Sequence, residues 1–271
     1  TNIPVQLTDE TMKERLNKVL DRMNCENFDS LVIYADLEHG YNFEYLTGFL
    51  PRFEEALLIL NTNGNHYMVL GNDNLNKASK ARIKATPIHC PYFSLPNQPM
   101  DVKKGIKDIL SQCGFDKANK VGIVGWKNFT SNYEDNSQLF DVPYYIVDTI
   151  RDIFGYNIYN ATRLFIGDNG ARCTNNVNEI VHYEFGAALA SDCILKAMNH
   201  LDVGVSEMEL GDILNAYGQK NSVVTIAASG PRFIKANIYP TNNTVKLKDP
   251  ISLSIGYKGG FSSRAGYAVH D

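Results

Sequence analysis

The chain lacks the features that would place it in a membrane or on a nucleic acid. No apolar run approaches the roughly 18 residues that a membrane-spanning helix needs. The first ten residues, TNIPVQLTDE, have neither the basic nor the apolar segment of a secretory signal. Lysine and arginine number 26 against 30 aspartates and glutamates, and no stretch concentrates the positive charge. The sequence therefore predicts no membrane partner and no nucleic-acid partner.

Cysteine is scarce, and the spacing of the cysteines matches neither a disulfide framework nor a zinc motif. The five cysteines are an odd number, are widely separated and form no C-x-x-C pair. This pattern argues against a disulfide framework and against a thiolate zinc site. It fits a protein of the reducing cytoplasm, which is the location we predict.

The length of 271 residues exceeds the roughly 100 to 200 residues of one domain, so two domains are expected. Apolar residues make up 44% and charged residues 21%, which is ordinary for folded globular chains. Glycine and asparagine cluster over 151–174 and mark a linker. We place a first domain at 1–165 and a second at 173–271.

The first half alternates strands with helices, which indicates an α/β layer with a mainly parallel or mixed sheet. Thr8 is predicted to cap a helix whose apolar residues repeat at helical spacing from Met12 to Met23. Asn63-Gly64 predicts a hairpin over 56–71, because this pair suits a tight turn. We further predict strands at SLVIYA, KVGIVG and PYYIVD, helices at about 72–84 and 101–113, and a proline-rich link at TPIHCPYFSLPNQP.

The second half begins with helices and ends with strands. One long helix is predicted from about Asn176 to His200, and another starts near Ser206, where SEME resembles a capping box completed by Glu209. Strands are predicted at SVVTIAAS, TVKL, ISLSIGY and FSSRAGYAV. Two helices followed by an antiparallel meander indicate an α+β domain.

Several segments, taken in order, resemble one known family. NFEYLTGF and the hairpin ending in MVLG resemble the N-terminal domain of the creatinase, prolidase and aminopeptidase P group. The second half is similar to that family's pita-bread domain through NEIVHYEFGAALASDCILKAM, GVSEMELGDIL, IAASGPRF, YPTNNTVKLKDPISLSIG and KGGFSSRAGY. The resemblance implies an α/β creatinase-like domain followed by an α+β pita-bread domain. It also implies a homodimer and a nominal hydrolase of C–N bonds in small peptides or related compounds.

In the metallopeptidases of this family, two aspartates, one histidine and two glutamates hold two divalent metals, often Mn, Co or Zn. The resemblance places the first aspartate position, in a D-x-G strand, at Ser254. It places the second, after a G-Y-x-S-D turn that is two residues shorter here, at Arg264. A hydroxyl is a poor ligand for a hard dication, and a guanidinium repels it. We therefore expect no metal and no other cofactor.

A family position whose histidine contacts substrate falls on Asn237, which cannot take a proton near neutral pH. Creatinase uses this fold without metal and has an uncharged residue where Ser254 stands, but it keeps that histidine. The family's remaining histidine and two glutamates would lie beyond Asp271. We therefore expect a pita-bread domain that is truncated at its C-terminus.

Several polar residues are candidates for ligand contacts in this pocket. Arg264 is either a clamp for an anionic group or a surface cation on the hairpin. Asn237 and Tyr239 either orient a bound small molecule or anchor the loop before Pro240. Ser254 is the fourth candidate, at the first aspartate position.

Arg52 and Phe53 lie on the loop after YLTG. In creatinase-like dimers this loop reaches toward the partner subunit's pocket, so the pair is either a ligand contact supplied in trans or an ordinary exposed loop.

Two functions stay open from the sequence. One is a hydrolase of C–N bonds related to Xaa-Pro aminopeptidases, prolidases and creatinase, whose chemistry is metal-free or completed by residues outside this chain. The other is a catalytically inactive pita-bread protein that binds a small anionic ligand or a peptide end.

Overall fold

The computed structural model describes residues 3–98, 100, 102–115, 118–235 and 239–269. It divides the chain into two compact units. The first unit is Asp9–Thr174, and the second is Asn175–Asp271 together with Thr1–Thr8. The division thus falls between Thr174 and Asn175, whereas the sequence suggested domains over 1–165 and 173–271. Within these described ranges, no helix combines the length and the apolar character needed to cross a bilayer.

The first unit is built on a mixed sheet of six strands, as the alternation of strands and helices predicted. Its elements are α1 (Asp9–Cys25), β1 (Ser30–Ala35), α2 (Tyr41–Thr47), β2 (Ala56–Asn61), β3 (Tyr67–Leu70), β4 (Thr86–His89), α3 (Ile106–Leu110), β5 (Val121–Val124), α4 (Tyr144–Phe154), β6 (Ile158–Asn160) and α5 (Arg163–Ile166). The strand order is β4-β3-β2-β1-β5-β6. β2 is antiparallel to β1 and β3, and the other three pairs are parallel.

The central strands β1 and β2 are buried over their whole length. Successive side chains of a strand point to opposite faces. Leu31 and Ile33 accordingly pack into one apolar cluster, while Val32 and Tyr34 pack into another. Burial on both faces explains why SLVIYA is a continuous apolar run rather than an alternating one.

The predicted strand at PYYIVD is wrong, because this segment begins α4. Ile146, Val147 and Ile150 are buried while Tyr144 is largely exposed, which is the one-sided pattern of an amphipathic helix. Pro143 precedes the first helical residue, a position where its missing N–H costs nothing.

Other local predictions in the first unit need smaller corrections. The helix expected at 72–84 is a short 3₁₀ helix, Leu75–Lys80, and the one at 101–113 shortens to α3. The proline-rich link contains β4 at the sheet edge, where a proline is tolerated. The region assigned as linker contains β6 and α5.

Over its described residues, the second unit contains two α-helices and a three-stranded antiparallel sheet. Its elements are α6 (Val177–His200), α7 (Glu207–Leu214), β7 (Ile226–Ser229), β8 (Pro250–Tyr257) and β9 (Gly260–Tyr267), with the strands in that order. Both helices begin with a capping box, which for α7 confirms the role predicted for Ser206 and Glu209. One face of the sheet packs on the helices through Ile251, Leu253 and Ile255.

The predicted strand TVKL is wrong. Thr244 forms only an isolated bridge with Ser206 among the described residues. The backbone N–H of Lys246 then donates to the Asp249 side chain, and Lys248 has a φ of 70°. This turn takes the backbone out of the extended geometry that a strand requires.

Candidate functional site

The hairpin of β8 and β9 carries the positions at which the family resemblance places two metal-binding aspartates. Tyr257 pairs with Gly260, so the turn has only two residues, Lys258 and Gly259. Gly259 has a φ of 107°, a conformation that favours glycine. The pairing register that follows from this short turn decides which side chains meet.

Ser254 pairs across the hairpin with Ser263, and their hydroxyl oxygens lie 2.7 Å apart. Directly paired residues of antiparallel strands share a face. Ser254 is 4% exposed, while Ser263 is exposed on the edge strand. The face turned away from the helices therefore presents a hydrogen-bonded pair of hydroxyls.

The structure does not bring Arg264 to Ser254, which favours the surface cation over the anion clamp among the two alternatives for Arg264. Arg264 pairs with Leu253, and neighbouring residues of a strand alternate between faces. The guanidinium is exposed, and its Nη1 donates to the carbonyl oxygen of Ser263 at 2.7 Å. Because the turn is short, Ser263 rather than Arg264 stands opposite Ser254.

The donors on this face do not fit a pair of divalent metals. Such ions require charged oxygen ligands, whereas Ser254 and Ser263 supply neutral hydroxyls that already bond to each other. In the part of the chain that the structure describes, no three His, Cys, Asp or Glu side chains lie close enough to hold an ion.

The loop that carries the other predicted ligand contacts is only partly described. Asn237 lies outside the described residues. The side chain of Tyr239 is 72% exposed, and its carbonyl oxygen accepts a hydrogen bond of 2.9 Å from Nη2 of Arg232. The structure thus gives Tyr239 an exposed ring on a backbone held by Arg232.

Glu207, the first residue of α7, organises this loop, and no sequence motif indicated its role. Its carboxylate is fully buried. It accepts hydrogen bonds from the backbone N–H of Ser229 at 2.8 Å, Nε of Arg232 at 2.9 Å and Oγ1 of Thr241 at 2.8 Å. The side chain of Asn243 donates to it at 3.3 Å.

These partners lie 22 to 36 residues from Glu207 in sequence. No periodicity or local motif links residues so far apart, so only the tertiary fold shows the cluster.

Hydrogen bonding keeps Glu207 ionised despite its burial. Burial alone would raise the pKa of this carboxyl group. The hydrogen bonds from Ser229, Thr241 and Arg232 outweigh it and hold the pKa below its ordinary value. The carboxylate therefore acts as a fixed negative anchor between β7 and the loop at 239–243.

Arg52 and Phe53 lie in the first unit, on the loop before β2. The side chain of Asn74 holds Arg52 by its backbone, accepting from its N–H at 3.1 Å and donating to its carbonyl oxygen at 3.0 Å. Phe53 is 65% exposed and has a φ of 67°, which is unfavourable for a bulky residue. The guanidinium carbon of Arg52 lies 5.1 Å from the centre of the Phe53 ring.

Comparison with known proteins identifies the family of the chain. Residues 15–151 match the family model of the creatinase/prolidase N-terminal domain. The chain belongs to the creatinase/prolidase family. No curated protein matches the chain in a sequence comparison.

Solved structures of this family confirm the fold. The Xaa-Pro dipeptidase from Bacillus anthracis matches with a TM-score of 0.65 at 15% identity, over 96% of this chain and 66% of that one. The prolidase from Pyrococcus furiosus matches with a TM-score of 0.64 at 16% identity, over 94% of this chain and 70% of that one.

An aminopeptidase of Pseudomonas aeruginosa matches with a TM-score of 0.65 at 16% identity, over 98% of this chain and 63% of that one. The chain thus has the predicted architecture of a creatinase-like α/β domain and an α+β domain of the pita-bread type. It spans about two thirds of the length of these relatives.

Proposed function

We propose that this creatinase/prolidase family member binds a short peptide or a similar small molecule through its second unit and does not hydrolyse it by metal chemistry. The observation that carries the proposal is the Ser254–Ser263 pair, with hydroxyl oxygens 2.7 Å apart on adjacent strands. The family resemblance assigns this hairpin to two metal-binding carboxylates. A neutral hydroxyl pair binds peptide groups and carboxylates by hydrogen bonds but does not hold two dications.

An anionic end suits this hairpin better than a cationic one. Hydroxyls donate to a carboxylate, and Arg264 on the same edge strand adds positive charge beside Ser263. Because the guanidinium lies toward the other face, its role is electrostatic attraction rather than a direct bidentate clamp. The proposed ligand is therefore a peptide C-terminus or a small carboxylate.

The loop at 239–243 is the second part of the proposed binding region. Glu207 fixes this loop through Thr241, and Arg232 fixes the backbone of Tyr239. Tyr239 then offers an exposed phenol, and Asn237 an amide, for contacts with a small ligand. We propose both side chains as ligand contacts.

A calorimetric titration with the dipeptide Ala-Pro and with its C-terminal amide tests this function. We expect the dipeptide to bind and the amide, which lacks the anionic end, to bind more weakly. Ser263→Ala should weaken dipeptide binding because it removes a donor from the hydroxyl pair.

Ser262→Ala is the matched control. Ser262 pairs with Ile255, on the opposite face, and its substitution should leave the affinity unchanged. Equal affinities for Ser263→Ala and Ser262→Ala, or no binding by either form of the peptide, would contradict the proposal.

A metal-free hydrolase of C–N bonds is the second candidate, and membership in the creatinase/prolidase family favours it. Release of free proline from Ala-Pro at a rate that survives chelation of metals would support this candidate. In that case the serine variants would lower turnover as well as binding.

We further propose a homodimer in which Arg52 and Phe53 reach the partner subunit's pocket, as the family resemblance implies. A cytoplasmic location is also proposed. All five cysteines are free thiols, which is the state expected in a reducing compartment.

A further inference from the structure

The first unit has a cavity of about 450 Å³ where the chain leaves β1 and enters β2. Ala35, the last residue of β1, pairs with Ala56, the first residue of β2. The segments that follow β1 and precede β2 therefore lie side by side, and they supply the walls. The cavity falls within the range of about 300 to 1,000 Å³ typical of small-molecule sites.

Carboxylates dominate the polar walls. The acidic lining residues are Asp36, Glu38, Glu54 and Glu55, and His39 is the one basic side chain among the residues that line this cavity in the described structure. An excess of negative charge around a concave surface attracts cations.

The acidic side chains are not equally available to a ligand. Asp36 accepts the backbone N–H groups of Glu38 and His39 and lies 3.0 Å from the His39 ring. Glu54 is 3% exposed and accepts hydrogen bonds from the Asn74 side chain and backbone.

The carboxylate of Glu55 has fewer hydrogen-bond partners than those of Asp36 and Glu54. It accepts one hydrogen bond, from the Tyr145 hydroxyl at 3.3 Å, among the described residues. Glu38 also lines the cavity but is exposed to solvent, whereas Glu55 is half-buried, so the Glu55 carboxylate is the main charged acceptor for a molecule that enters the cavity.

Aromatic rings complete the walls. Tyr34 and Phe53 line the cavity, and the His39 ring lies against Trp126 at a tilt of 31°, with 4.9 Å between ring centres. The Arg52 guanidinium carbon lies 5.1 Å from the centre of the Phe53 ring, so one face of this ring already carries a cation of the chain and the other face is the one open to a ligand. Carboxylates combined with aromatic faces are the lining that recognises organic cations.

We propose that this cavity binds an organic cation, an alkylammonium or guanidinium group, with Glu55 as its charged partner and Phe53 as its aromatic wall. A bare metal ion is a poorer occupant, because no three metal-binding side chains converge among the residues that the structure describes. The cation source is either a free amine or a lysine or arginine side chain of a peptide.

Fluorescence of Trp126, the single tryptophan of the chain, reports on the cavity through its contact with His39. Titration with n-butylguanidinium and n-butylammonium should give a saturable change, whereas the uncharged n-butylurea should not. The N-acetylated tripeptide amides of Gly-Arg-Gly and Gly-Lys-Gly, compared with that of Gly-citrulline-Gly, carry charge only on the central side chain and distinguish a peptide source from a free amine. Tighter binding of either source supports the proposal.

Glu55→Gln keeps the size and a hydrogen-bond acceptor but removes the charge, and it should weaken cation binding about fivefold, as for a partly exposed ion pair. Phe53→Gly removes the ring and tolerates the positive φ, so it should weaken binding without unfolding the unit.

Glu134→Gln makes the same charge change at an exposed site outside the cavity and should leave binding unchanged. Thermal unfolding of each variant checks that the fold is intact. An equal response to butylurea, or equal affinities of Glu55→Gln and Glu134→Gln, would overturn the proposal.

Discussion

At the scale of single residues, Glu207 should have a large effect on stability. Replacement by alanine would leave the Arg232 guanidinium and the backbone N–H groups of Ser229 and Thr241 without their acceptor. Breaking such a buried charged cluster typically costs about 3 kcal/mol or more of unfolding free energy. Urea unfolding of Glu207→Ala at neutral pH measures this loss.

The lowered pKa of Glu207 also predicts a pH dependence. Because the pKa is lower in the folded than in the unfolded chain, the carboxylate stabilises the fold fully above its ordinary pKa of 4.5. This stabilisation is lost as the pH falls through the lower folded pKa. Glu207→Gln should therefore be less stable than the wild type at neutral pH, and the difference should shrink in acid.

Glu184→Gln, at an exposed position of α6, is the control and should follow the wild-type pH profile. If the stability difference between Glu207→Gln and the wild type were the same at every pH, the charged role of Glu207 would be refuted.

At the scale of secondary-structure elements, the turn between β8 and β9 packs closely on α6. A Cβ on Gly259 would meet the backbone carbonyl of Tyr183, and a Cβ on Gly186 would meet that of Lys258. Backbone atoms cannot move aside as a flexible side chain can. The two glycines therefore allow the helix and the hairpin turn to approach each other.

Gly259→Ala should destabilise the second unit by roughly 2 to 4 kcal/mol, since it combines an unfavourable positive φ with a backbone clash. Gly266→Ala is the control, because a Cβ there meets nothing within 4 Å. We expect that change to stay within about 0.5 kcal/mol. Equal unfolding midpoints of the two variants would show that the contact between Gly259 and α6 does not limit the size of the residue at this position.

The elements show which features local sequence predicts and which it does not. The hairpin at Asn63-Gly64 and the capping box at Ser206 depend on residues a few positions apart, so sequence alone predicted them correctly. The predicted strand at PYYIVD is wrong because a short apolar run fits a strand or one face of a helix equally well. In the structure this segment is a helix, and it buries Ile146 and Ile150 on one side.

Which side chains meet at the candidate site depends on the pairing register of β8 and β9, a finer feature than the elements themselves. Ser254 and Arg264 were named correctly as members of the hairpin. Their relative placement depends on whether the turn has two residues or more, since each shift by one residue moves a side chain to the other face. The structure fixes a two-residue turn, which places Ser263 opposite Ser254.

At the scale of the whole molecule, the order of motifs was enough to predict the family and both parts of the fold, which the family match and the solved relatives confirm. The buried cluster around Glu207 and the cavity beside β1 were not predictable. Both bring together residues from segments that are distant in sequence, and their chemistry follows only from the fold.

The proposed homodimer is a prediction at this scale. Light scattering at micromolar concentration should give twice the mass of the chain, and Arg52→Ala, which leaves the lining of the cation cavity intact, should weaken peptide binding in the dimer if Arg52 reaches the partner subunit's pocket. A monomeric mass would contradict the trans role of Arg52 and Phe53.

We propose that the hairpin presents the Ser254–Ser263 hydroxyl pair where the family resemblance places a metal-binding carboxylate pair. Calorimetric titration of Mn²⁺ into the protein after chelation and dialysis tests it most directly. We predict no saturable binding and no change in the unfolding temperature with the metal. Stoichiometric, tight binding of Mn²⁺ that Ser254→Ala abolishes would contradict the account.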